Sequence, residues 1–133
     1  MAYNQRENMI KQFEQEHESR VITLVTGDRP IAPTVIADDV LRPLYDHLQR
    51  IRSEESGKAK RIDLILYSRG GHAETPWKFV TKVRQFCDEF YVIIPYKAHS
   101  AATMIALGAD KILFSPMSEL GPIDPMIHVD VNT

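Results

Sequence analysis

Short apolar runs alternate along the chain with longer stretches in which apolar residues recur at helical spacing. The runs predict strands at residues 20–27, 61–68, 91–95 and 111–114. The run at 61–68 is nearly continuous in apolar character, which is typical of a buried parallel strand. A helical pattern follows each strand except the last, so the order predicts an α/β fold with a mainly parallel sheet and right-handed crossovers.

The first two helices differ in character. Residues 4–18 are mostly charged or amide side chains and predict a solvated helix, with one narrow apolar face at residues 9–13 that could instead dock on a partner. The second helix is expected to begin near Leu41, because Pro43 is tolerated only in the first turn of a helix.

A third helix is predicted after the second strand. Thr75 is placed to cap its start, and Pro76 suits its first turn. The predicted apolar face of this helix consists of Phe79, Val80, Val83, Phe86 and Cys87. The proline-rich segment at residues 115–125 is expected to be irregular.

Composition narrows the class of protein. A length of 133 residues suits one core, and a net charge of −2 gives no electrostatic case for nucleic acid or an anionic membrane surface. No apolar run is long enough to span a bilayer, and residues 1–19 lack the apolar core of a signal peptide. The single cysteine, Cys87, fits a reducing compartment. These features predict a cytoplasmic α/β domain.

Ser100 stands among small residues where the third strand gives way to a helix. One interpretation is a helix cap, since serine is favoured at that position. The other is a nucleophile, because the N–H groups at the start of a helix lie where an oxyanion would form. This stretch alone leaves both open.

The second strand ends in a glycine pair, Gly70 and Gly71, and the next strand leads to Ser100. Sites of parallel α/β sheets gather at the carboxyl ends of strands, and glycines let backbone N–H groups approach a ligand closely. A serine beside backbone donors is the arrangement that acyl transfer needs, although a glycine pair also suits an ordinary tight turn.

Other site chemistries are poorly supported. Neither a dinucleotide-binding nor a nucleoside-triphosphate glycine loop occurs in the sequence. The histidines fall in separate segments without the spacing of metal ligands. Nucleotide binding through such a loop and a metal site are therefore not expected.

Three segments together resemble the serine dehydrogenase proteinase (SDH) family, which is grouped with the Clp protease proteolytic subunit in the Clp/crotonase fold. They are residues 67–71, 98–110 and 120–125, and the resemblance in order and spacing covers about residues 20–126. It implies a spiral of ββα units with a mainly parallel sheet and flanking helices, a serine peptidase acting on polypeptides, and a homo-oligomer. It implies no cofactor.

The resemblance also implies roles for particular residues. Ser100 matches the nucleophile of the family. Gly70 and Gly71 match the glycine pair that supplies one oxyanion-hole N–H, and the amide of Ala101 matches the second donor.

The catalytic base is not identifiable by the same matching. Where the Clp subunit has its histidine, this chain has Ile123 or Asp124. Related membrane-protein-cleaving enzymes use a lysine farther along, beyond Thr133. The base could lie in a longer protein, which is the favoured explanation, or it could be His99 or His128.

The organisation expected from these observations is an N-terminal helical extension at residues 1–19 and a Clp/crotonase-like domain at 20–133 that is incomplete at its C-terminal end. The leading hypothesis is a serine endopeptidase. The first alternative is a catalytically incomplete module that oligomerises or binds peptides. A crotonase-type acyl-CoA enzyme is the third, disfavoured because the serine and the glycine pair fit the peptidase branch better.

Overall fold

A computed structural model of the chain describes residues 2–123. The elements follow one another as helix α1, strand β1, helix α2, strand β2, helix α3, strands β3 and β4, helix α4 and strands β5 and β6. The helices are α1 (Tyr3–His17), α2 (Leu41–Glu55), α3 (Thr75–Arg84) and α4 (Ala101–Leu107). The strands are β1 (Arg20–Val25), β2 (Ala59–Tyr67), β3 (Cys87–Ile94), β4 (Lys97–Ala98), β5 (Lys111–Phe114) and β6 (Glu119–Leu120).

The main sheet has the order β1-β2-β3-β5, and all of its neighbouring strands are parallel. A second, two-stranded parallel sheet pairs β4 with β6. An isolated bridge between Ser68 and Ala98 joins the end of β2 to β4. The predicted α/β fold with a mainly parallel sheet and flanking helices is confirmed.

One face of the main sheet carries the core. Side chains of successive strand residues point to opposite faces of a sheet. Every second residue of β2 and β3 therefore lies under the helices, among them the paired residues Leu64 and Val92. Helices α2, α3 and α4 contribute Leu48, Phe79 and Ile105 to the same cluster, all almost completely buried. This packing fixes the short helix α4 in the core, next to α3 and β4.

Helix α1 has no fully buried residue, as expected of a solvated helix. Its narrow apolar face nevertheless has a partner within the chain. Met9, Ile10 and Phe13 line a small apolar hollow together with Val21 of β1 and Ile65 of β2. This apolar face is therefore turned toward the chain's own sheet, although Met9 remains 57% exposed.

The predicted limits of the middle elements need correction. Helix α2 begins at Leu41, as Pro43 indicated. Helix α3 ends at Arg84, so Phe86 and Cys87 do not belong to its apolar face. Cys87 instead begins β3, because its backbone pairs with Ala59 of the neighbouring strand.

Two further local predictions were wrong. Thr75 is the first residue of α3 rather than its cap, and its hydroxyl donates a hydrogen bond to the carboxylate of Asp38. The segment expected to be irregular contains β6, because Glu119 and Leu120 pair with β4. Both differences arise from contacts with residues distant in sequence.

Candidate functional site

Ser100 lies between β4 and α4 in a strained backbone conformation. Its φ of 54° and ψ of −116° fall in a region that residues other than glycine seldom adopt. Its hydroxyl makes no capping hydrogen bond to α4 and has no other hydrogen-bond partner within residues 2–123. The hydroxyl therefore does not serve as a helix cap.

Gly70 lies directly against Ser100. A Cβ atom added to Gly70 would come within 2.8 Å of the Ser100 Cβ and 2.9 Å of the His99 carbonyl oxygen. The backbone of Gly70 has a φ of 116°, which a residue with a side chain adopts only under strain. The structure thus brings Gly70, the first residue of the glycine pair, against Ser100.

Gly71 is held by the segment that precedes α2. The N–H of Ile36 donates to the Gly70 carbonyl at 2.9 Å, and the N–H of His72 donates to the Ile36 carbonyl at 2.8 Å. In such a parallel bridge the middle residue, Gly71, directs its own N–H and C=O away from its partner. Gly71 must be glycine, because a Cβ there would lie 2.0 Å from the Ile36 oxygen.

The two glycines differ in the state of their amides. The N–H of Gly70 donates to the hydroxyl of Ser68 at 3.0 Å. The N–H of Gly71 has no acceptor in the described part of the chain, and the residue is exposed. The amide nitrogen of Ala101 lies 3.3 Å from the position that a Gly70 Cβ would take, and as the first residue of α4 it has no acceptor within the helix.

Of the two histidines named as base candidates, the structure describes one, His99. The Nε2 atom of His99 lies 3.1 Å from a carboxylate oxygen of Glu119, and its ring packs against Gly121. Its imidazole therefore engages β6 and the residue after it. His128 lies outside the described residues. The base assignment stays a prediction for both.

Two carboxylates near the turn that contains Gly70 and Gly71 (the glycine turn), those of Asp28 and Asp38, have lowered pKa values and are weak bases. The pKa of Asp28 is lowered, chiefly because it accepts a hydrogen bond from the Tyr67 hydroxyl and next because the Arg69 guanidinium is close. The pKa of Asp38 is lowered by hydrogen bonds from Lys78 and Thr75. Both groups are ionised near neutral pH and have little tendency to accept a proton from a serine.

Ser68 and Gly121 were noted in the sequence only as members of segments 67–71 and 120–125, and Ile36 only as an apolar position before the second helix. Ile36 forms the bridge that holds Gly71, Ser68 accepts the Gly70 N–H, and Gly121 leaves room for the His99 ring. The contacts of Ile36 and Gly121 reach residues far along the chain, so no local pattern reveals them. A polar residue at the end of an apolar strand was the available signal for Ser68.

Two further findings concern the described residues as a whole. Among residues 2–123, no three histidine, cysteine, aspartate or glutamate side chains are grouped as a metal ion would require. Within the same residues, no helix combines the length and the apolar character needed to cross a membrane.

Comparison with known proteins decides the family. A sequence profile of the ClpP-like SDH-type serine proteinases matches residues 1–131. The chain belongs to this family. Two uncharacterized proteins of Methanocaldococcus jannaschii, MJ0137 and MJ1495, are 30% and 31% identical to it over 92% and 89% of this chain. The SDH-type chain spans only 43% and 41% of the lengths of these relatives.

A solved structure supports the fold of this SDH-type chain. A ClpP1 mutant from Listeria monocytogenes superimposes with a TM-score of 0.54 and a sequence identity of 17%. The match covers 73% of this chain and 51% of the ClpP1 chain. The fold is therefore ClpP-like.

Proposed function

We propose that this SDH-type protein is a serine peptidase that cleaves polypeptides, with Ser100 as its nucleophile. The observation that carries the proposal is the conformation of Ser100, whose backbone has a φ of 54° and whose hydroxyl has no partner within residues 2–123. Such strain costs about 1–3 kcal/mol and persists where the surrounding structure enforces it, commonly at active sites. A serine serving only as a cap would gain a hydrogen bond instead.

The chemistry follows from the groups around Ser100. Its Oγ would attack the carbonyl carbon of a peptide bond, and negative charge would develop on the carbonyl oxygen. The N–H groups of Gly71 and Ala101 are the proposed donors to that oxygen. Backbone donors fixed in place need no rearrangement as the charge develops, and each such donor contributes about 100- to 1,000-fold in kcat.

Gly70 has a different proposed role from Gly71. Its N–H is already bonded to Ser68, so it is not available to an oxyanion in this arrangement. Its missing side chain is what matters, because the contact with Ser100 leaves no room for a Cβ. Gly70 would therefore leave Ser100 in its position, and the Gly71 N–H would bind the substrate carbonyl oxygen.

The proton of Ser100 requires a base that the described residues do not place beside its hydroxyl. His99 and His128 stay candidates, and the relatives are more than twice as long as this chain, so a base supplied by a longer protein is also consistent. The lack of a base beside the Ser100 hydroxyl within residues 2–123 also favours the alternative function, a ClpP-like module that binds peptides without cleaving them. We further propose that the protein assembles into a homo-oligomer, as its ClpP-like fold suggests.

Cleavage of an unstructured polypeptide distinguishes these functions. Fluorescein-labelled casein is incubated with the wild-type protein and with the Ser100→Ala variant. The peptidase proposal expects fragments from the wild type and none from the variant. Casein that binds to both proteins and remains intact with both would favour the peptide-binding module, and cleavage that survives Ser100→Ala would refute the role of Ser100.

A further inference from the structure

Two buried hydroxyl groups lie beneath the glycine turn. Ser68, at the end of β2, is completely buried, and Thr26, which follows β1, is 7% exposed. The hydroxyl of Thr26 donates to the Ser68 Oγ at 2.7 Å. The Ser68 Oγ in turn accepts the N–H of Gly70 at 3.0 Å.

The Ser68 hydroxyl acts chiefly as a hydrogen-bond acceptor. A serine hydroxyl can accept two hydrogen bonds and donate one. Both acceptor positions of the Ser68 Oγ are filled, by Thr26 and Gly70, while its own proton has only a long contact of 3.5 Å to the Gly70 carbonyl oxygen. The pair therefore acts mainly as a fixed acceptor aimed at one glycine amide.

The backbone of Ser68 holds the other half of the site. Its N–H donates to the Lys97 carbonyl, and its carbonyl accepts the N–H of His99, both at 3.0 Å. His99 immediately precedes Ser100. One residue thus fixes the strand that leads to the serine through its main chain and the glycine turn through its side chain.

The glycine turn needs such a restraint. Glycine adopts a wider range of backbone conformations than any other residue, so Gly70 has little intrinsic preference for its φ of 116°. A rotation at Gly70 would change the direction of the next amide, that of Gly71. The bond from the Ile36 N–H to the Gly70 carbonyl restrains the peptide that carries the Gly71 N–H, and the bond from the Gly70 N–H to Ser68 restrains the peptide before it. Loss of the Ser68 acceptor would leave the turn restrained on one side only.

We infer that Thr26 and Ser68 are positioning residues, which fix Gly70 so that the Gly71 N–H is aimed at the oxyanion. The inference rests on the proposed function of Ser100. It assigns a role to two hydroxyl groups that touch neither the substrate nor the reacting atoms. Their effect is expected in the rate of the chemical step and not in substrate binding.

The test compares four variants. Ser68→Ala removes the acceptor, Thr26→Val removes the donor at similar shape, and Thr26→Ser retains it. Ser19→Ala is the control, because Ser19 is 6% exposed at the opposite end of β1 and its hydroxyl is buried without a partner in the described part of the chain. Circular dichroism checks that each variant is folded.

Two measurements are made on each folded variant. Saturation kinetics with a fluorophosphonate separate the maximal inactivation rate from the reagent affinity. Hydrogen exchange of the Gly70 amide, followed by NMR, reports the bond to Ser68 without requiring any reactivity. For Ser68→Ala we expect the inactivation rate to fall about tenfold at unchanged affinity, since small displacements of catalytic groups cost 10- to 100-fold. We expect Gly70 exchange to accelerate about tenfold or more, as for a lost protecting bond.

The pattern across variants decides the inference. Thr26→Val should lie between wild type and Ser68→Ala, whereas Thr26→Ser and Ser19→Ala should match the wild type. Equal losses in Ser68→Ala and Ser19→Ala, or an unchanged rate and unchanged Gly70 exchange in Ser68→Ala, would overturn it. If Ser68→Ala does not fold, a Thr26→Val variant that matches Thr26→Ser in both measurements overturns it. A wild-type protein that fails to react refutes the proposed function, and Gly70 exchange then decides whether the hydroxyl pair holds the turn.

Discussion

A methyl group at Gly70 should damage both the stability of the protein and the reactivity of Ser100. In Gly70→Ala the new Cβ would lie 2.8 Å from the Ser100 Cβ and 2.9 Å from the His99 carbonyl oxygen. Carbon atoms in proteins pack at about 3.5–4.0 Å, so one of these groups must move. The variant also retains an unfavourable φ, which costs about 1–3 kcal/mol for a residue with a side chain.

Gly57 provides a matched control for the backbone cost. Its φ of 141° is also positive, but a Cβ there would meet no atom within 4 Å. Gly57→Ala should therefore lose about 1–2 kcal/mol from backbone strain alone. Gly70→Ala should lose at least about 1 kcal/mol more, because overpacking adds about 1–3 kcal/mol in a tightly packed site.

Urea unfolding measures the two stabilities, and labelling by a fluorophosphonate measures reactivity. Displacing Ser100 by even part of an ångström should lower its labelling rate about 100-fold in Gly70→Ala, while Gly57→Ala should label as fast as the wild type. The reasoning would be refuted if Gly70→Ala were no less stable than Gly57→Ala and labelled at the wild-type rate.

Three further predictions concern Ser100, Cys87 and Gly121. Ser100→Gly should be about 1 kcal/mol more stable than Ser100→Ala in urea unfolding, because glycine tolerates the positive φ; equal stabilities would argue against strain at this position. Burial raises the pKa of the Cys87 thiol to about 11, so the unfolded chain loses this proton first and the free energy of unfolding should fall as the pH rises from 9 to 11. The fall should be smaller in Cys87→Ala, and an identical pH dependence would contradict it. Gly121→Ala should lower the melting temperature, since its Cβ would lie 2.5 Å from the His99 ring; a melting temperature equal to that of the wild type would show that the ring moves freely.

The parts of the fold that were predictable from the sequence are those governed by local pattern. The apolar runs and the helical spacing predicted the order of the four helices and of the four strands of the main sheet, and Pro43 located the start of α2. The end of α3 was missed because Cys87 extends β3 through pairing with Ala59, a residue on another strand. Strands β4 and β6 were missed for the same reason, since they pair with each other.

In the candidate site, too, features set by local sequence could be predicted and features set by distant contacts could not. Ser100 and the glycine pair could be named because residue type and position after a strand are visible in the sequence. The distinction between Gly70 and Gly71 could not, because it depends on the bonds from Ile36 and to Ser68. The strain at Ser100 was also hidden, since serine is common at ordinary helix starts. The catalytic base stays a prediction, and His128 lies outside the described residues.

Covalent labelling of the wild-type protein by a fluorophosphonate, followed by peptide mapping with mass spectrometry, tests the central claim most directly. A strained serine whose hydroxyl has no partner within residues 2–123, and which directly precedes the Ala101 amide at the start of α4, is the group that should react. The account predicts one adduct, on Ser100, that disappears in Ser100→Ala while Ser19→Ala is labelled normally. An adduct on another residue, or equal labelling of the Ser100→Ala variant, would contradict it.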